Sequence, residues 1–210
     1  MTMMLRPVLL LSATLALTGV GSPAVAQPAA LSTVVTATDP RAFLDDLASR
    51  AFAVLRDRSV AEPQRRAAFR AMLRDNFALK EIGDRLIRRH RAEITPAQYA
   101  SFQQTFPGWI VGTYADRLEG FTNARFQTIR TAPRGASGVT DVFARVTTPG
   151  KNPIDTVWAI KRGEGGRLQV LNLTVSGINL ALTQEEDFNA KIERQGFDSL
   201  VSFMRQNQTA

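Results

Sequence analysis

The sequence predicts an α+β domain in which helices pack on a twisted antiparallel sheet of about four to five strands. Three observations predict it. Apolar residues recur every three or four positions from about Asp39 to Gly120, every second position from Ala124 to Val175, and again at helical spacing after Thr183.

The first 26 residues read as a secretory signal peptide, with Arg6 in a basic start, an apolar run from Val8 to Leu17, and Ala24-Val25-Ala26 as a small-x-small cleavage site. The run is shorter than the ~18 residues a spanning helix needs. Cleavage would leave Gln27 first, with residues 27–38 as a flexible tail and 39–210 as a single domain.

Asp39-Pro40 opens a helix whose apolar face is Phe43, Leu47, Ala51, Val54 and Leu55. Pro63 suits the first position of a second helix, carried on by Phe69, Met72, Leu73 and Phe77, and a shorter amphipathic piece centres on Ile82, Leu86 and Ile87. Thr95-Pro96-Ala97-Gln98 is a capping box for a long helix to about Gly120, and Pro107-Gly108 in its middle predicts a kink near Phe106.

The strands Phe126–Thr131, Val139–Thr147, Ile154–Lys161 and Arg167–Val175 are separated by Pro133-Arg134-Gly135, Pro149-Gly150 and Gly163 to Gly166, as in a meander. A short segment from Ile178 to Leu182 follows. Thr183-Gln184-Glu185-Glu186 reads as a second capping box, starting a helix through Phe188 and Ile192 to Gly196, and a last helix packs Leu200, Val201 and Met204.

Catalysis has little material here. The chain has no cysteine, hence no thiol nucleophile, acylation site or disulfide, and a single histidine, His90, inside Arg88-Arg89-His90-Arg91, which reads as a surface helix. No Gly-x-Ser-x-Gly elbow occurs, and Gly163-Glu164-Gly165-Gly166 lacks the Lys-Ser/Thr of a phosphate loop. Asp45-Asp46 and Glu185-Glu186 are adjacent pairs, which on a helix do not share a face; the second suits a charge role at a helix N-terminus.

Losing Arg6 lowers the net charge from +7 to +6, with local density at Arg85, Arg88, Arg89 and Arg91. The basic residues are not interleaved with aromatics, which argues against nucleic acid; anionic lipid or an acidic docking partner fits better.

The strands are apolar on both faces. Val142, Ala144 and Val146 oppose Phe143, and Leu171, Leu173 and Val175 alternate with Leu168 and Val170, so both faces need a cover. Helices account for one face; the other is met by the terminal helices or by a bound apolar ligand.

The end of the chain carries a resemblance. A Trp158-bearing strand, then Val175, Gly177, Ile178, Asn179 and Leu180, then Phe188 in a helix and Gly196-Phe197-Asp198 with Leu200 opening the last one, resemble the periplasmic phospholipid-binding proteins of the Mla pathway. These are the MlaC family, also called toluene-tolerance or auxiliary ABC-transport proteins, with a hopanoid-associated branch. Phe102, Phe106, Tyr114 and Leu118 continue the likeness more weakly, while Leu79–Ile94 departs from the Leu-Gly-x-x-Trp segment that members often carry.

The resemblance implies a cystatin-like or NTF2-like half-cone that shelters phospholipid acyl chains and shuttles them between the outer and inner membranes, maintaining outer-membrane lipid asymmetry. It implies a periplasmic monomer without cofactor, in transient contact with membranes. Its implied partners are an inner-membrane MCE-domain complex with an ABC transporter and an outer-membrane lipoprotein. Two rival readings share the fold: a carrier of hopanoid or another polycyclic lipid, and an NTF2-like enzyme. The expected cavity lies between the kinked helix and the sheet, lined by Phe102, Phe106, Ile110, Tyr114, Phe143, Trp158, Leu171, Leu173 and Val175.

Overall fold

Asp39 starts the first helix, α1 (Pro40–Arg56), by accepting the Ala42 N–H at 2.9 Å, and Pro40 spends its missing donor where none is needed. The computed structural model describes residues 33–118 and 121–208; the signal segment 1–26 and residues 27–32 of the expected tail lie outside them. The rest of that tail is docked. Val35 is 1% exposed, its N–H donates to Asn76 Oδ1 at 3.0 Å, and Asn76 Nδ2 donates to Thr33 O at 2.6 Å.

Next come α2 (Glu62–Asn76), α3 (Leu79–Leu86), a 3-10 turn at Arg88–His90, and α4 (Pro96–Leu118). The first capping box forms reciprocally: Gln98 N–H donates to Thr95 Oγ1 at 3.2 Å and Thr95 N–H to Gln98 Oε1 at 3.0 Å. The helical span of α4 is continuous across Pro107, the position of the expected kink. One proline removes one donor, and neighbouring carbonyls find other partners: Gln208 Nε2 donates to Thr105 O at 3.1 Å and Thr105 Oγ1 to Ser101 O at 2.8 Å.

The sheet is an antiparallel meander in the order β1 (Arg125–Pro133), β2 (Val139–Thr147), β3 (Ile154–Arg162), β4 (Leu168–Val175) and the short β5 (Ile178–Asn179). Two extra residues bend it. Thr128 pairs with Ala144 and Arg130 with Phe143, leaving Ile129 as a bulge on β1; Ile160 pairs with Val170 and Ala159 with Asn172, leaving Leu171 as a bulge on β4.

The second bulge corrects the reading of β4 as apolar on both faces. Trp158 and Ile160 lie on one face of β3, and their partners Leu173 and Val170 therefore share that face despite their odd spacing. The free edge of β4 is also covered, because Ala78 N–H donates to Val170 O at 2.9 Å beside Phe77.

Helix α5 (Leu180–Gln195) begins three residues before the expected capping box. Asn179 is its cap, accepting from Leu182 N–H at 3.1 Å. Glu185 consequently lies inside the helix rather than at its start: it is 1% exposed and accepts from Arg88 Nε at 2.8 Å, while Glu186 is exposed. Burying that carboxylate is tolerable only because a guanidinium meets it. The last helix is α6 (Phe197–Gln206).

Helices α1, α2, α3 and α5 lie against the sheet, while α4 packs on α2, α3 and α6 behind them. The tightest packing is in that second layer. Phe102 and Phe106 stack at 5.3 Å, and Phe188 meets both edge-on at 6.4 Å. Gly83 permits it, since a Cβ there would stand 3.0 Å from Phe106 Cδ1 and 3.2 Å from Phe102 Cε1.

Candidate functional site: an apolar cavity

Between the inner helices and the sheet face that carries Trp158 lies a cavity of about 380 Å3. One wall is helical: Leu47 and Phe52 from α1, Phe69 and Met72 from α2, Ile82 and Leu86 from α3. The other is the sheet, from Phe126 and Val146 across Ile154 and Trp158 to Leu173 and Val175. Leu180, Ala181 and Gln184 of α5 close one side, and Ile110, Val111 and Tyr114 of α4 reach in between α2 and α3.

Among the described residues no Asp, Glu, Lys, Arg or His side chain lines this space. Polar groups in the wall are largely committed to it. Thr156 Oγ1 donates to Ala144 O at 3.1 Å and accepts from Trp158 Nε1 at 3.0 Å. Asn172 Nδ2 donates to Asn179 Oδ1 at 3.0 Å, and its Oδ1 accepts from Ala181 N–H at 3.2 Å. A polar solute entering would lose its water contacts for few replacements, about 2–7 kcal/mol per group, so the chemistry selects hydrocarbon.

Of the nine residues expected at the site, Ile110, Tyr114, Trp158, Leu171, Leu173 and Val175 face the cavity. Phe102 and Phe106 do not; both are fully buried against Phe188 in the second helical layer, because α4 packs behind α3 rather than directly over the sheet. Phe143 pairs with Val157 and so points away from the face of Val142 and Trp158, its ring covered by the Arg130 guanidinium at 3.4 Å.

Sequence reasoning missed the α1 and α2 wall, together with Phe77 and Phe126, whose rings stand edge-on to Trp158 at 6.5 and 6.2 Å. Their helical and alternating spacing was legible, but spacing marks an inward face without saying whether it meets side chains or space.

The groups with displaced titration stand at the surface. Arg145 donates to Asp155 at 2.7 Å and holds its carboxyl below the usual range; the Ser59 hydroxyl and N–H do the same for Asp57. His90 is buried in its 3-10 turn, 3.3 Å from Glu93 Oε2 and outside the cavity lining. No group of three or more potential metal ligands occurs among the described residues, and none of their helices is long and apolar enough to cross a membrane.

The MlaC protein family profile matches residues 45–206, most of the chain. The chain belongs to the MlaC family. The fold of this MlaC protein is also similar to the crystal structure of a phospholipid-binding protein from Ralstonia solanacearum, solved in complex with a phospholipid. The TM-score is 0.67 at 18% identity over 81% of this chain and 97% of the other. At that identity the likeness establishes the α+β fold. No curated protein matches the chain.

Proposed function

We propose that this MlaC protein is a periplasmic carrier that shelters phospholipid acyl chains and moves them between the inner and outer membranes. The observation that carries the reading is the charge-free cavity, supported by family membership and by the phospholipid held in the Ralstonia relative. A diacyl lipid has about 30 methylenes at roughly 0.8 kcal/mol each, so its release into water needs shelter of this kind. Passing from one apolar medium to another leaves the net transfer small, which permits both pickup and delivery.

The reading as a carrier rather than an enzyme rests on the same wall, where no carboxylate, imidazole or amine stands among the described residues to act as general acid or base. Its partners would be an MCE-domain protein with its ABC transporter at the inner membrane and a lipoprotein at the outer membrane. Residues 1–26 would direct export.

Native mass spectrometry and lipid extraction of the exported protein test the proposal. One phospholipid or more per chain is expected; a stoichiometric polycyclic lipid would move the protein to the hopanoid branch, and protein free of any lipid would overturn the reading.

A further inference from the structure

A side chain that joins the helical wall of the cavity to the sheet wall does not itself line it. Arg56 ends α1, is exposed, and sits one turn after Phe52, with its guanidinium 5.1 Å from the centre of that ring. Its Nε donates to Thr122 O at 2.7 Å and its Nη2 to Ala124 O at 2.6 Å. Phe121, adjacent to Thr122, lines the cavity, as do Phe52 and Phe126. One guanidinium therefore fastens the end of α1 to the stretch that carries Phe121 into β1.

Arginine suits this work for a geometric reason. Its planar fork reaches two carbonyls in fixed directions while its face lies over an aromatic ring, whereas a lysine ammonium is a point charge with all its donors on one atom. The bond to Thr122 is made at the surface and the one to Ala124 is half-buried, so both can part by a local opening of this edge without unpacking the core.

Resting on the carrier reading above, we propose that Arg56 is a positioning residue that sets how fast the cavity exchanges its lipid. It holds the Phe52 and Phe121 walls together over the hydrocarbon. Lipid enters or leaves more readily when its bonds to Thr122 and Ala124 part, and less readily when they re-form.

The test loads the full mature chain with pyrene-labelled phosphatidylglycerol and follows transfer to phosphatidylcholine vesicles by stopped-flow fluorescence. Arg56→Ala is expected to speed transfer about tenfold, the factor that about 1.4 kcal/mol gives, with Tm little changed. Arg56→Lys should fall between it and the wild type, since charge survives and the fork does not. Arg125→Ala, at a nearby exposed position outside the cavity wall, should transfer at the wild-type rate.

Unchanged transfer in folded Arg56→Ala overturns the proposal. So does equal acceleration in Arg125→Ala, which would make the effect one of surface charge. Should Arg56→Ala not fold, Arg56→Lys decides: a wild-type rate there refutes the role. A wild-type chain that takes up no labelled lipid defeats the carrier reading itself, and shows it before any substitution is made.

Discussion

Around Phe102, the rings of Phe106, Phe197 and Phe188 lie at 5.3, 5.9 and 6.4 Å with no space between them; around Trp158, Phe77 and Phe126 stand at 6.5 and 6.2 Å and front a cavity of about 380 Å3. Both regions are built from the same residue types. What differs is whether the facing side chains meet each other or open volume. Gly83 leaves room for the Phe102 and Phe106 rings against α3, so the rings interlock, whereas the Trp158 face of a sheet made irregular by bulges at Ile129 and Leu171 fronts open volume. Hydrophobic content thus marks both a core and a hollow; the separation of the supporting elements decides which one forms.

The contrast breaks if equivalent truncations cost the same on both sides. Phe106→Ala should lose about 3–5 kcal/mol in urea unfolding, because every face of the ring has partners. Trp158→Ala, though it removes a larger side chain, should lose about 2 kcal/mol or less, since its cavity face has few contacts to forfeit. Equal losses would mean that the space beside Trp158 is closed in solution.

Leu173→Arg sharpens the comparison through the ligand. The new guanidinium would stand among acyl chains but has open volume to turn into, so stability should fall by about 1–3 kcal/mol while bound lipid, measured by extraction, drops well below one per chain. Global unfolding would assign Leu173 to a solid core, and normal lipid content in a folded variant would place it outside the site.

Gly177 closes the turn after Val175 with φ at +82°, and a Cβ there would touch nothing within 4 Å. Gly177→Val should therefore cost about 1–2 kcal/mol through backbone strain alone. An unchanged Tm would show that the turn relaxes freely at the cavity's edge.

The smallest effect is expected far from both regions. Asp155 titrates below the ordinary carboxylate range because Arg145 donates to it, so the pair stabilises the fold above the unfolded pKa and that contribution is lost as pH falls through the folded one. Thermal melts of Asp155→Asn should lie slightly below wild type at neutral pH and converge with it in acid. Both partners are exposed, so the gap will be small and will shrink with salt. A gap that persists in acid would trace the effect to the β2–β3 register instead.

Much of the fold was legible because it depends on local chemistry. Thr95 and Gln98 cap α4 as their spacing demands, and the turn residues between Phe126 and Val175 separate four strands that pair in sequence order. The site was legible in part. Leu173 and Val175 alternate visibly, but the bulge that sets them on the same face as Val170 depends on pairing with β3, which no spacing within β4 reveals. Glu185 looked like a helix-start charge because Arg88 is 97 residues away in sequence, beyond any local rule. Val35 passed for loose tail because its anchor is Asn76, on another helix.

The sequence by itself determined the order and kind of the elements, since capping, turn formation and the 3.6- and 2-residue periods are settled by neighbours a few positions apart. Only the tertiary structure decided that Phe102 and Phe106 fill a core while Trp158 and Leu173 face a cavity, and that Arg56 clasps the edge of that cavity. Those outcomes depend on distances between elements remote in the chain, set by a glycine where two helices touch and by two extra residues that bend a sheet.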